Sequence, residues 1–357
     1  MSNASKTVRT AVIGLGMGKG HVNAYTHDPM AELVAVCDLD EARLAWALRE
    51  HDLSEEACYT DYKKMLADAE KLRLDAVSVA LPNAMHAPVS IDCLKAGLHV
   101  LCEKPMAMNA DQAKGMITAA ESAGRKLMIN FSTRFQTQSQ ALKRFVDQGH
   151  LGQMYYGRTV WHRRRGMPGF GGWFGTKELS GGGPIIDLGV HRLDLAMWLM
   201  GNPRPVTVSA STYNVIGERL ARESGKTFDV EDLGAALIRF DGGQTLLLEA
   251  SWAGFTEKDQ SMATELWGTE GGLIQRNTGE WYDFEARVYT EEAGSLWERR
   301  FQQPVTDSPS SYSEFIAAIL DDREPSAPGA HGLAVQQILD AVYESAETGR
   351  EVRIQQD

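Results

Sequence analysis

Three side chains in this sequence have types and spacing suited to moving a proton and steadying a charge: Lys104, Asp187 and His191. Asp187, His191 and Asp194 stand at i, i+4 and i+7, which places them on one face if the segment is a helix. A carboxylate beside an imidazole raises its basicity and fixes its orientation. Such a pair suits the removal of a proton from an alcohol as the hydride on its carbinol carbon leaves. Lys104 lies in Cys102-Glu103-Lys104-Pro105 at the end of an apolar run, and an ammonium there can bond a hydroxyl and hold the negative charge that grows on its oxygen. Pro105 keeps Lys104 extended. Each residue also has a plain reading: a surface lysine at a strand end, an aspartate near a positive helix end, a satisfied half-buried histidine. Their order along the chain, behind a glycine loop, makes them a set.

That loop is Gly14-Leu15-Gly16-Met17-Gly18-Lys19-Gly20-His21, between an apolar run and a helix-like segment. Glycines let backbone turn tightly and approach a pyrophosphate, and a helix N-terminus favours the anion. The usual dinucleotide spacing is GxGxxG. Here Gly14, Gly16 and Gly18 give GxGxG, with Met17 inside it, so either Gly18 or Gly20 can take the third role. A second apolar run ends at Asp38, near the position where an acidic residue bonds the adenosine ribose. A carboxylate there repels a 2′-phosphate and favours NAD over NADP. The competing reading makes Asp38 a helix cap.

The elements that must position these residues fall into two patterns. Apolar runs at Thr10–Gly14, Leu33–Asp38, Ala76–Leu81, His99–Cys102 and Leu127–Asn130 suit parallel strands buried on both faces. Helix-like segments alternate with them. The clearest runs from an Asn109 cap to Gly124. This rhythm predicts an α/β fold with a doubly wound parallel sheet over residues 1–130. Beyond it, strands are expected at Met154–Trp161, Val206–Thr212, Ala235–Phe240, Thr245–Ala250 and Met262–Trp267, with a hairpin at Asp241-Gly242-Gly243. A helix is expected over Asp187–Met200, with Leu188, Leu195 and Leu199 facing a core, and others over Tyr312–Leu320 and Leu333–Glu347. Residues 131–357 form the second expected domain, with the closing helix 333–347 a candidate to pack back on the first.

Composition narrows the partners. The 357 residues carry 36 Lys and Arg against 48 Asp and Glu, a net charge of −12. An acidic surface repels nucleic acid and anionic lipid, so neither is an expected partner. No apolar run approaches the ~20 residues that span a bilayer, and no basic patch precedes an apolar core as in a signal peptide. The small, polar Met1-Ser2-Asn3-Ala4 reads as either an appended remnant or a frayed end. Cys37, Cys58, Cys93 and Cys102 form no CxxC pair, and free thiols of a cytoplasmic protein are expected. No metal-ligand spacing is found among Cys and His.

Taken together, the GxG loop, Asp38, Leu81-Pro82-Asn83, His86, Glu103-Lys104-Pro105 and the stretch Gly181-Gly182-Gly183-Pro184 to Asp194 (GGGPxxDxGxHxxD) resemble the glucose–fructose oxidoreductase, inositol dehydrogenase and MocA family. The resemblance covers nearly the whole chain. It implies a Rossmann domain followed by an α/β domain with a large open, mainly antiparallel sheet, through which family members form homodimers or homotetramers. It implies that Lys104 is the catalytic lysine, Asp187 the aspartate supporting substrate and base, and His191 the proton-transferring histidine. Leu81, Asn83 and His86 match positions near the cofactor riboses, and Glu103 lies beside the nicotinamide. Arg163 and Trp173 fall where such enzymes bind substrate. The expected activity is hydride transfer between NAD and a secondary alcohol of a sugar or cyclitol. Two rival readings share the cofactor: glycoside cleavage by transient oxidation and elimination, which differs from the two-carboxylate route, and a non-catalytic NAD-binding sensor. Intact Lys104, Asp187 and His191 speak against the sensor. Net absorbance change at 340 nm separates the dehydrogenase from the other two.

Overall fold

Strands that are apolar on both faces need cover on both faces, and the first half of the chain supplies it with crossover helices. A computed structural model describes residues 7–279, 281–304 and 308–355, so the opening tetrapeptide lies outside it. Six parallel strands form one sheet: β1 Val8–Ile13, β2 Ala31–Cys37, β3 Cys58–Tyr59, β4 Ala76–Val79, β5 His99–Cys102 and β6 Leu127–Ile129, ordered β3-β2-β1-β4-β5-β6. This is the doubly wound order of a dinucleotide-binding fold, with the reversal between β1 and β4. Ala11, Val12, Val77, Val100 and Leu101 are wholly buried in it. The five expected strands are present with ends moved by at most two residues; the two-residue β3 is too short for a periodic signal. Helix Ala110–Ala123 is capped as expected: Asn109 Oδ1 accepts from Gln112 N at 2.9 Å, and Gly124 closes the helix at φ 62°.

The residues cluster into two compact units. The first runs to Asn130 and also takes in Pro309–Leu333; the second comprises Phe131–Ser308 and the residues from Ala334 on. The return segment joins the first unit through contacts remote in sequence. Ile129 N donates to Ala327 O at 2.9 Å, and the Tyr312 ring meets His21 at 4.7 Å. The closing helix, Gly329–Thr348, thus begins in the first unit and has most of its length in the second.

The second unit is built on nine strands: β7 Met154–Arg163, β8 Pro205–Tyr213, β9 Leu233–Phe240, β10 Thr245–Ser251, β11 Gln260–Gly268, β12 Gly271–Asn277, β13 Phe284–Glu292, β14 Ser295–Arg300 and β15 Val352–Arg353. Their order is β14-β13-β12-β11-β7-β10-β9-β8-β15. Within it β7 and β10 pair parallel and the other neighbours antiparallel. The β9–β10 hairpin turns at the predicted Asp-Gly-Gly. Strands β12 to β14 escape sequence reading because glycines and alternating Arg and Glu blur their pattern, and every residue of β14 is exposed. Helix Ile216–Ser224 was likewise not expected. On one face of the sheet Leu246, Leu248 and Ala250 are wholly buried, and helix Val190–Leu199 packs against β7 and β11. Among the described residues no helix is long and apolar enough to cross a membrane.

Candidate active site

In the first unit the loop after β1 is shaped by two close approaches. Gly14 sits at φ 91°, and a Cβ there would lie 2.3 Å from Ala80 O. A Cβ on Gly18 would lie 1.9 Å from Gly14 O, while one on Gly16 would meet nothing nearer than Arg43 Nη1 at 3.4 Å. The early third glycine therefore serves the tight loop–helix packing, and Gly16 leaves the loop's outer side open. Gly20 is roomier, with Tyr312 Oη at 3.5 Å from such an atom. Helix Lys19–His27 starts directly after Gly18, and Met17 stands exposed. An open glycine facing a helix N-terminus fits a pyrophosphate.

Asp38 is buried beside this loop. Its Oδ2 accepts from Leu15 N at 2.6 Å and its Oδ1 from Asp40 N at 2.8 Å, with Arg43 Nη1 at 3.3 Å. The cap of the next helix is instead Asp40, whose Oδ1 accepts from Ala42 N. Oδ1 of Asp38 retains acceptor capacity that suits a ribose hydroxyl.

Asn83 opens helix Asn83–Lys95 after Pro82 and is buried. His86, one turn on, is buried too. Its Nδ1 lies 2.7 Å from Pro105 O and its Nε2 2.8 Å from Leu81 O, so the ring braces the two turns that follow β4 and β5. Burial pushes its basicity down, against the two carbonyls that favour the proton. Lys104 sits in the second of these turns, and its bond to Pro105 is cis.

Glu103 is tied inward. Its Oε1 accepts from His21 Nε2 at 2.9 Å and Asn130 Nδ2 at 2.6 Å. Burial alone would raise its pKa, but the His21 and Asn130 bonds and the Lys104 charge outweigh that and hold it down to about 2. His21 and Asn130 escape sequence reading. Their signals were present: a histidine on the first turn after the glycine loop, and an asparagine directly after β6.

In the second unit the glycine run leads into a wide π-type turn, Ile185–Gly189, and only then into α-helix Val190–Leu199. A π turn holds an extra residue, so Asp187 lies in this widened turn while His191 and Asp194 lie in the α-helix that follows it. Asp187 Oδ2 accepts from Trp252 Nε1 at 3.1 Å. His191 packs 5.7 Å from the Trp161 ring, with Thr133 Oγ1 at 3.5 Å from its Nδ1. Asp194 is wholly buried and clamped by Arg134 Nε at 2.8 Å and Nη2 at 2.5 Å; it serves the core. Leu188, Leu195 and Leu199 are buried as expected, but so are Arg192 and every other residue of the helix except the half-buried His191. Arg192 bonds Gln275 and Thr264, and burial lowers its pKa to about 9.

Strand alternation sorts the basic run. Thr159 Oγ1 donates to Arg192 O on the helix side of the sheet. Trp161 and Arg163 follow on that side by period two, while His162 lies opposite, 3.4 Å from Glu249. Arg163 covers Trp161 at 5.8 Å and reaches Gly166 O at 3.4 Å. Trp173, half-buried, stacks at 3.9 Å on its neighbour Phe174. Tyr282 meets the Trp161 ring edge-on at 5.9 Å. Among the described residues no cluster of His, Cys, Asp and Glu could hold a metal ion.

With this geometry in view, residues 8–131 match the family model described as "Oxidoreductase family, NAD-binding Rossmann fold", and residues 139–274 match that of the "GFO/IDH/MocA C-terminal domain". The chain is 34% identical over 359 residues to the D-glucoside 3-dehydrogenase of Escherichia coli (strain K12), covering 98% of each. It is 26% identical to the D-xylose 1-dehydrogenase [NADP(+)] of Haloarcula marismortui, covering 97% of this chain and 93% of the relative. The solved structure of GenD2 from gentamicin A biosynthesis in complex with NAD superposes with a TM-score of 0.80 at 28% identity, covering 99% and 98% of the two chains.

Proposed function

This chain belongs to the glucose–fructose oxidoreductase, inositol dehydrogenase and MocA family of oxidoreductases acting on CH–OH groups, and on that premise we propose that it oxidises a ring secondary alcohol of a sugar or cyclitol with NAD. The full-length likeness to a D-glucoside 3-dehydrogenase carries this reading most directly. The Trp161 ring beside His191, itself met edge-on by Tyr282, supports a ring-shaped substrate with apolar faces.

In this proposal His191 accepts the hydroxyl proton, Asp187 orients the substrate and the base, and Lys104 stabilises the alkoxide-like oxygen. The nicotinamide, when bound, supplies the hydride acceptor. The loop Gly14–Gly18 would hold the pyrophosphate. Asp38, with Leu81 and Asn83 after β4, would serve the riboses, His86 would act by holding the turns after β4 and β5 rather than by touching the cofactor, and Glu103 would serve the nicotinamide side. Asp38 favours NAD, because its charge repels a 2′-phosphate. Arg163 and Trp173 are proposed substrate contacts. On the sheet face away from the helices, Tyr156, Trp267 and Tyr289 stand in register across β7, β11, β12 and β13; this row would meet a second copy in a homodimer or homotetramer, a state that light scattering reads. The proposed setting is cytoplasmic.

Mixing protein and NAD with a panel of sugars, glucosides and inositols tests the function at 340 nm. The proposal expects net absorbance growth with at least one of them. Loss of a glucoside without net absorbance change would instead favour cleavage by transient oxidation, and NAD binding with no turnover of any compound would favour the sensor.

A further inference from the structure

Within the second unit one buried carboxylate lies directly beneath the turn that carries Asp187. Glu231 stands just before β9 and is 6% exposed. Its Oε2 accepts from Gly183 N at 2.8 Å, and its Oε1 accepts from Ile185 N at 3.1 Å and from the Tyr343 hydroxyl at 2.9 Å. Three donors thus converge on one side chain. Burial raises the Glu231 pKa against the lowering pull of these bonds; its carboxylate form offers acceptors only, whereas an amide in its place would set an NH₂ against at least one of these donors.

The glycine run is shaped for this contact. A Cβ on Gly183 would lie 2.0 Å from Glu231 O, and a Cβ on Gly182 would lie 2.0 Å from Tyr343 Oη. These two glycines therefore admit Glu231 and the closing helix against the turn; any side chain would push them out. Burial raises the Tyr343 hydroxyl well above its ordinary value, so it remains a donor.

The contact closes a ring around Asp187. Glu231 holds the entry to the turn. One residue on, Asp232 O accepts from Trp252 N at 3.0 Å, and the Trp252 indole donates to Asp187 Oδ2 at 3.1 Å. Asp187 is thereby fixed through its backbone from one end and through its carboxylate from the other. Misplacement of a reacting group by about 1 Å costs on the order of 100-fold in rate, so such a ring has a use beyond stability.

We propose that Glu231 is a positioning residue for the reaction: with Tyr343 it fixes the Asp187 turn, and through it the start of the His191 helix. The proposal rests on the functional reading of Asp187 and His191 given above. The test compares Glu231→Gln, Glu231→Asp and Tyr343→Phe with Asp187→Asn and His191→Asn in the full chain. It reads kcat and KM for the best panel substrate, NAD affinity, and amide hydrogen exchange over residues 181–189. Glu231→Gln is expected to lower kcat about 100-fold with NAD affinity within twofold, and to speed exchange at residues 181–189. Tyr343→Phe should do the same more weakly, and Glu231→Asp should recover part of the loss. A folded Glu231→Gln variant with wild-type kcat and unchanged local exchange would overturn the proposal. So would a loss of thermal stability with kcat per folded molecule unchanged. If Glu231→Gln fails to fold, Tyr343→Phe carries the same comparison. Wild-type turnover in Asp187→Asn and His191→Asn would show instead that the functional reading had failed; unchanged exchange in Glu231→Gln would still count against the positioning role alone.

Discussion

Replacing Glu103 with glutamine should convert the electrostatics of the β5 turn into a measurable loss of stability. The carboxyl is held down to about 2 from an ordinary 4.5, despite burial that opposes the charge, by bonds from His21 and Asn130 and by the Lys104 ammonium. At ~1.36 kcal/mol per pH unit that gap is worth about 3 kcal/mol in favour of the folded state at neutral pH. The sign follows from a depressed folded-state pKa. The contribution is fully present above the unfolded value near 4.5 and is lost as pH falls toward about 2. Glutamine can keep its carbonyl oxygen towards His21 Nε2 and Asn130 Nδ2, but it removes the charge those donors hold, and its NH₂ then faces the Lys104 N–H that Oε2 accepts from at 3.2 Å. Urea unfolding of wild type and Glu103→Gln at pH 7, 5, 4 and 3 measures the effect. The expected difference is about 3 kcal/mol at pH 7, narrowing steadily below pH 4.5. A variant within about 0.5 kcal/mol of wild type at pH 7, with a parallel pH curve, would refute the reasoning.

Three further outcomes are expected. Gly18→Ala places a Cβ 1.9 Å from Gly14 O and should weaken NAD binding at least about tenfold, since backbone cannot yield as a side-chain tip does; fluorescence titration reads it, and unchanged affinity counts against the loop assignment. Lys104→Ala should lose most turnover while NAD binding stays largely intact, and a variant at wild-type rate would remove lysine from the mechanism. Burial pushes the Cys37 and Cys102 thiols up to about 12 and raises Cys93 also, so an aromatic disulfide reagent at pH 8 should leave all three untouched in the native protein and find only the half-buried Cys58.

What was legible in the sequence follows from how locally each feature is encoded. The strands of the parallel sheet could be read because burial on both faces leaves a continuous apolar run, as in Val77 and Val100 with their neighbours. The Asn109 cap and the Gly124 stop were readable because their bonds span only a few residues. Other features depend on remote partners. Arg134, sixty residues away, draws Asp194 into the core, and the π-type turn at Ile185–Gly189 shows no signature in residue type alone. His21 and Asn130 acquire meaning from Glu103, and Gly182 and Gly183 from Glu231 and Tyr343. The glycine run was visible, but the bodies it makes room for were not. Pro309–Leu333 reads as ordinary loop and helix, yet its contacts lie with the first unit.

In the proposed reaction a carbinol hydride passes directly to the nicotinamide. The most direct test takes the panel compound that reduces NAD, deuterated at its ring carbinol carbons, and analyses the reduced cofactor by mass spectrometry. One deuterium per reduced nicotinamide, located at C4, is expected, with the transfer abolished in His191→Asn. Reduced cofactor free of deuterium, or labelling that survives in His191→Asn at the wild-type rate, would contradict it.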